Sequence, residues 1–227
     1  MKGTQNYRLP AEIEQASMDI ISEELSQRGV VLPPEAEAVV KRVIHTTADF
    51  DYVDTLRFTP STVQRAVAAL RMGTAIVTDT AMAQAGISKS ALQKLSCEAH
   101  CLIAEPQIAQ AAKEQGTTRA AAAMQAAAQR YPEGIFAVGN APTALLALCD
   151  LVQSGLRPAL IIGVPVGFVH VEESKQQLYT LCQTYGLPCI AAMGRKGGSN
   201  VAAAVCNALL YTALDALDPA LRQRWSG

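Results

Sequence analysis

The chain has 227 residues, half of them apolar and 17% charged, with a formal net charge of −1, whereas an average soluble domain carries about 25% charged residues. That balance excludes a disordered chain and supplies the apolar surface for a large core. It also excludes a nucleic-acid binder working through a general basic field, so any anionic ligand has to be met by local positive charge.

Taken in chain order, the first third reads as helical. Pro10 sits at a first helical position, and Ile13, Ala16, Ile20, Ile21 and Leu25 recur at helical spacing before Gly29. A second helix is predicted from Pro33-Pro34 to His45, with Val39, Val40, Val43 and Ile44 on one side. A third follows Thr59, with Pro60 in its first turn, and runs to Met72-Gly73; no strand signal precedes residue 74. Five short apolar runs then appear: Ala75 to Thr78, His100 to Ala104, Ile135 to Val138, Ala159 to Gly163 and Cys189 to Ala192. They alternate with Ala-rich helical stretches such as Thr118 to Arg130 and Ala141 to Gln153, in keeping with 39 alanines in the chain. Nearly continuous apolar character marks strands covered on both faces. The expected architecture is therefore three-layer α/β/α, with a five-stranded, mainly parallel sheet behind a helical N-terminal segment, in one domain spanning residues 1–227.

The six cysteines form no C-x-x-C pair and sit mostly in apolar runs, as reduced buried thiols do. Met1 to Pro10 is polar and lacks a leader-like apolar stretch. The longest apolar run, Val201 to Leu217, is broken by Asn207 and Asp215 and is too short to span a bilayer. These features lead to a cytoplasmic expectation, with no membrane partner.

In open parallel sheets, ligands bind beyond the carboxyl ends of the strands. Three of those ends carry turns: Gly139-Asn140-Ala141-Pro142-Thr143, the stretch Gly163 to His170, and Gly194-Arg195-Lys196-Gly197-Gly198-Ser199-Asn200. In the last, Gly197 and Gly198 allow close backbone approach, a helix start follows, and Arg195 and Lys196 add two charges. This can be a carboxylate or phosphate site, or a tightly packed turn with two solvated cations. Neither a Walker A loop nor a G-x-G-x-x-G fingerprint is present. His45 ends a helix with Arg42 one turn earlier and is either a helix-end cap or an acid–base group. Cys97, His100 and Cys101 straddle a strand without further nearby ligands, so no metal site is read there. His170 is read as a surface or ligand-rim residue. Asp79, after the first strand, is either a substrate acceptor or a helix cap.

Five segments carry a resemblance: Arg42-Val43-Ile44-His45, Gly116-Thr117-Thr118-Arg119 with the alanines after it, the Gly139 to Thr143 turn, Gly163 to Val169 followed by Glu173-Ser174-Lys175, and Gly194 to Ser199. In this order they resemble the precorrin-8X methylmutase (cobalt-precorrin-8 methylmutase) family of cobalamin biosynthesis, over nearly the whole chain. The resemblance implies an isomerase that moves a methyl group from ring carbon 11 to ring carbon 12 of a corrin precursor, giving hydrogenobyrinate or its cobalt form. It further implies a flavodoxin-like sheet, a homodimer, and a macrocycle bound near the subunit interface. The family's catalytic histidine matches His45, its substrate-contacting serine Ser17, and its arginine Arg119. The chain departs from the family pattern at Lys196 and at His170.

A 1,5 methyl shift needs no redox cofactor and no nucleophile, only an acid near neutrality to set the ring tautomer, and imidazole suits that task. The helix end and the substrate's carboxylates are expected to hold His45 charged until it donates. The polycarboxylate rim, with or without cobalt in the ring, is expected to be met by Arg42, Arg119, Arg195 and Lys196, with Ser17, Asp79, Asn140, Thr143, Gly197 and Gly198 completing the contacts. The competing readings are a non-catalytic carrier of a corrinoid intermediate and a flavin- or nucleotide-binding enzyme.

Overall fold

The computed structural model describes residues 9–222 and Trp225. The polar stretch Met1 to Pro10 therefore lies, up to residue 8, outside the described residues.

The N-terminal helices are α1 (Pro10–Gln27), α2 (Pro34–Thr47) and the single turn α3 (Tyr52–Thr55). Prolines at the starts of α1 and α2 fix φ where the N–H would have no partner anyway. A strand that the sequence pattern did not announce follows, β1 (Leu56–Phe58), then α4 (Thr62–Arg71). Five parallel strands come next: β2 (Ile76–Thr78), β3 (Ala99–His100), β4 (Ile135–Val138), β5 (Leu160–Gly163) and β6 (Cys189–Ala192). The intervening helices are α5 (Ala81–Gly86), α6 (Lys89–Lys94), α7 (Pro106–Glu114), α8 (Arg119–Arg130), α9 (Pro142–Gln153) and α10 (Val171–Tyr185). After β6 come α11 (Ser199–Ala213) and α12 (Pro219–Arg222).

The sheet thus has six strands rather than five, in the order β1-β6-β5-β4-β2-β3, with β1 antiparallel to β6 and the other neighbours parallel. β1 escapes sequence reading because it is three residues long, lies at an edge, and carries a solvent-facing Arg57 at its centre. At the other edge the expected strand His100 to Ala104 contracts to Ala99–His100, because only two residues pair with β2 before the chain turns toward Pro106.

Side chains alternate across the sheet as the two-residue strand period requires. Ile135, Ala137, Leu160, Ile162, Ile190 and Ala192 join the core beneath α2, α4 and α11. Val77, Phe136, Val138, Ile161, Cys189 and Ala191 join the core shared with α7 to α10. On the first face α11 packs against β4 and β5, while α2 lies on α11 and α1 on α2. Small residues permit that stacking: a Cβ at Gly86 of α5 would come 2.8 Å from the Ala203 methyl of α11.

Among the parallel strands the chain leaves β2 toward β3 on one side and leaves β4 toward β5 on the other. The crevice at such a reversal is where open α/β sheets receive ligands. Among the described residues no helix is long and apolar enough to cross a membrane.

Candidate active site

The reversal crevice is already occupied by the chain itself. Asp79, fully buried just past β2, accepts the backbone N–H groups of Gly139 (2.9 Å), Asn140 (2.8 Å) and Ala141 (2.9 Å) at the start of α9. Of the two readings open for Asp79, the geometry is that of a cap, and its carboxylate is not free for a substrate. Burial pushes its carboxyl up from the ordinary range, against the pull of those amides. Asp79→Asn would set an amide NH2 against at least one of the three N–H groups. The expected loss is about 2 kcal/mol of stability in urea unfolding, the cost of an unmet buried donor; an unchanged midpoint would contradict the cap.

The open donors lie at the end of β6, in the turn Gly194 to Gly198. Gly198 (φ +138°) donates to Val164 O at 2.9 Å, and Gly197 (φ +158°) passes so close to β5 that a Cβ there would sit 2.1 Å from Val164 O. Gly139 is equally confined, since a Cβ would lie 2.7 Å from Gly198 O and from Ser199 Cα. The Thr80 and Ser199 hydroxyls bond at 2.8 Å across the same seam. The ends of β2, β4, β5 and β6 are therefore locked into one surface with the start of α11.

The two cations of this turn are committed differently from the expectation of free rim donors. Lys196 donates to Asp49 and Asp51, each at 2.6 Å, and these partners hold its ammonium well above its ordinary pKa. Arg195 pairs with Glu172 at 2.8 Å and lies over the exposed Phe168 ring at 5.7 Å. Both have partners within the chain, and Arg195 keeps an exposed face. Lys196 has a separate consequence. Asp49 follows His45 by four residues, so the lysine ties the end of α2 to the glycine turn.

His45 is exposed in the last turn of α2, which ends at Ala48 with φ +54°. The Arg42 guanidinium is paired with Glu14 at 2.6 Å and lies 5.3 Å from the Tyr211 ring centre. Arg222 binds the same carboxylate and lies 4.2 Å from the same ring. Burial would raise the Glu14 carboxyl, but the two arginines outweigh it and hold it low. In the free chain, partial burial and the Arg42 charge push the His45 pKa below the usual value, and Glu14 only partly offsets them.

Ser17 of α1 bonds back to Ile13 O at 2.9 Å. No described bond links it to His45, or Arg42 to the glycine turn. On the opposite helix layer the starts of α8 and α9 meet through the Thr118 and Thr143 hydroxyls at 2.8 Å. Arg119, the first residue of α8, is exposed and has no ion-pair partner among the described residues. The Asn140 residue is exposed as well, while its N–H is held by Asp79. His170 caps α10 in a left-handed conformation (φ +54°) and is exposed.

The Cys97, His100 and Cys101 group is split: the Cys97 thiol points to Leu70 O at 3.2 Å, and His100 stacks on Tyr131 at 4.6 Å. Among the described residues no cluster of metal-ligating side chains occurs.

Three features of this surface take their roles only from the fold. Val166, Phe168 and Val169 project past β5, and Met82 past β2, as exposed apolar groups at the carboxyl end of the sheet. Glu14 is the carboxylate that organises Arg42 near His45. Lys175 is buried with its ammonium bonded to the carbonyls of Gly194 and Lys196, each at 2.8 Å. The exposed apolar positions and Lys175 lie in the Gly163 to Val169 and Glu173-Ser174-Lys175 segments legible in the sequence, whereas nothing local marks Glu14. The carboxyl end of the sheet offers exposed apolar groups and unmet turn amides, the loop after the His45 helix is tied to it by Lys196, and Arg119 starts α8 on the other layer. That suits a large, flat, polyanionic ligand.

The precorrin-8X methylmutase family model matches residues 12–212. The chain is similar to the cobalt-precorrin-8 methylmutase of Salmonella typhimurium, with 44% identity over 207 residues, covering 89% of this chain and 95% of that protein. It is 38% identical over 179 residues to the precorrin-8X methylmutase of Pseudomonas aeruginosa, covering 78% and 85% of the two chains. The precorrin-8x methyl mutase structure from Thermus thermophilus superposes with a TM-score of 0.79 and 37% identity, covering 89% of this chain and 98% of that one.

Proposed function

The chain belongs to the precorrin-8X methylmutase family, and on that premise we propose that it is an isomerase of corrin-ring biosynthesis, an intramolecular transferase that moves a methyl group from ring carbon 11 to ring carbon 12. Its substrate is precorrin-8 or cobalt-precorrin-8, and its product hydrogenobyrinate or the cobalt form. One observation carries the placement of the chemistry. Lys196 clamps the loop after α2, so the helix bearing His45 ends beside the surface formed by the glycine turn and the strand ends.

His45 acts as the acid. The neutral imidazole of the free chain becomes protonated when the substrate's carboxylates arrive and offset Arg42, then donates to the macrocycle to favour the migrating tautomer. After the methyl group has moved between adjacent ring carbons, the proton returns to the imidazole and the net reaction is an isomerisation. Phe168, Val169 and Met82 supply apolar contact to the ring face. Arg119, Arg195 and the outward amides of the glycine turn meet the acidic rim. Asn140 and Thr143 flank the rim beside Arg119, and Ser17 contacts substrate only if α1 borders it.

We further read the five parallel strands as a flavodoxin-like core in a single domain, and the protein as a cytoplasmic homodimer. The support for a dimer is that Leu9, Ile13 and Ile20 lie exposed along α1.

Turnover separates an enzyme from a corrinoid carrier. Substoichiometric protein is expected to convert an excess of precorrin-8, followed by its visible spectrum, and conversion that stops at one equivalent would establish a carrier. Arg119→Ala is expected to weaken hydrogenobyrinate binding about tenfold, the loss of one charge-assisted contact, with the melting temperature unchanged. Intact affinity with a collapsed melting temperature would make Arg119 structural.

A further inference from the structure

Lys175 has no exposed surface and lies in the second turn of α10. A buried ammonium is costly unless its protons are taken up. Here its hydrogen-bonding partners are two main-chain carbonyls, Gly194 O and Lys196 O. Glu172 supports the charge through space, but that carboxylate is bonded to Arg195. The carbonyl between these two, Arg195 O, accepts the N–H of Gly167 at 3.2 Å. Three successive carbonyls of the turn are therefore drawn to the inner side.

The described chain has no cis peptide bond, and in a trans peptide the N–H points opposite to the C=O. The N–H groups of Arg195 and Gly197 consequently point away from the Lys175 ammonium and that of Lys196 away from the Gly167 N–H, and no acceptor among the described residues meets them. The direction reverses one residue later, where the Gly198 N–H points inward to Val164 O. Unmet successive amides in a turn are donors that an anion can satisfy.

We propose that Lys175 is a positioning residue: by holding the Gly194 and Lys196 carbonyls inward, its ammonium presents the Arg195 and Gly197 amides, beside the Lys196 amide turned by Gly167, to a carboxylate on the corrin rim. This rests on the substrate class proposed above and adds to it the group that shapes the rim contact. A carboxylate partner would satisfy the ammonium without the turn, whereas two carbonyl partners couple its charge to the turn's conformation. Burial lowers its pKa to about 8, so the device is intact at neutral pH and releases as the pH rises through that value. The other charged groups nearby are the Arg195–Glu172 pair and Lys196 with Asp49 and Asp51.

The test is Lys175→Met, which keeps the apolar stem and removes the ammonium, with hydrogenobyrinate titrated through its visible spectrum. Binding is expected to weaken by about tenfold and KM to rise in step, with kcat within about threefold of the wild type, the pattern of lost uniform binding. An affinity and KM equal to those of the wild type overturn the proposal, as does a fall in kcat at unchanged KM. A measurement that keeps Lys175 stands beside it. In the His45→Asn protein, which lacks the imidazole's own proton uptake, affinity is expected to fall between about pH 7 and 9.5 as Lys175 loses its proton, and a flat profile overturns the proposal even if the Met variant does not fold. A wild type that binds no hydrogenobyrinate at any pH overturns the substrate reading together with this proposal. A wild type that binds, unaffected by Lys175→Met, overturns this proposal alone.

Discussion

Replacing His45 with asparagine is expected to leave the chain folded and to lower kcat for the methyl shift by about 10²–10⁴-fold, the range of a lost general acid. The side chain is exposed at a helix end and no described hydrogen bond depends on it, so a change in melting temperature should not obscure the kinetic loss. The pH dependence carries a second signature. In the free chain, burial and Arg42 set the imidazole pKa below its usual value. Because kcat/KM reports the free protein, it should fall as pH rises through a midpoint below about 6.5. The fall in kcat should lie at higher pH, since bound carboxylates favour the charged imidazole. A kcat/KM that rises with pH over the same window would make His45 a base instead. The sign also reaches stability. A histidine whose folded pKa is depressed disfavours the fold once protonated, so the wild type should lose ground to the asparagine variant as pH falls below about 6.5.

Gly197→Ala is expected to damage binding and stability together. The new Cβ would sit 2.1 Å from Val164 O and 2.8 Å from Pro165 O, both main-chain atoms that cannot rotate away. The turn must move, and with it the Gly198 N–H bond to Val164 O and the three amides beside it. Overpacking against backbone belongs at the upper end of the usual range, about 3 kcal/mol, which for a chain of this size lowers the melting temperature by about 6–12 °C. The KM should rise by about tenfold as the rim contact is lost. Gly194→Ala is the matched control: φ is +73° there but nothing lies within 4 Å of the added methyl, so only the left-handed conformation is charged, about 1 kcal/mol. Equal effects at the two glycines would contradict the close approach that organises the turn.

The parallel strands were legible because burial on both faces leaves runs such as Ile135-Phe136-Ala137-Val138 with no polar interruption. Proline at the starts of α1, α2 and α9 marked their boundaries for a reason local to one turn. An edge strand has no such signature: β1 is half solvated and its register is set by β6, more than a hundred residues away in sequence. The glycine turn was legible as a close approach, but the partners its cations take within the chain were not. Lys196 meets Asp49 and Arg42 meets Glu14 only through tertiary packing, and residue spacing cannot record such partners. Lys175 was legible only as part of the Glu173-Ser174-Lys175 segment; its burial against the Gly194 and Lys196 carbonyls depends on the loop above it. Arg42 shares the His45 side of α2, as the three-residue spacing implies, and after burial it is the group that lowers the imidazole pKa.

The account turns on one contact, the imidazole at the tip of α2 against the macrocycle. A crystal structure of the protein with hydrogenobyrinate bound tests it most directly. A His45 ring nitrogen is expected within about 3 Å of the corrin ring system, the reach of proton transfer, with rim carboxylates on Arg119 and the Arg195–Gly197 amides. An imidazole separated from the ring by other side chains, with the corrin seated elsewhere on the molecule, would contradict it.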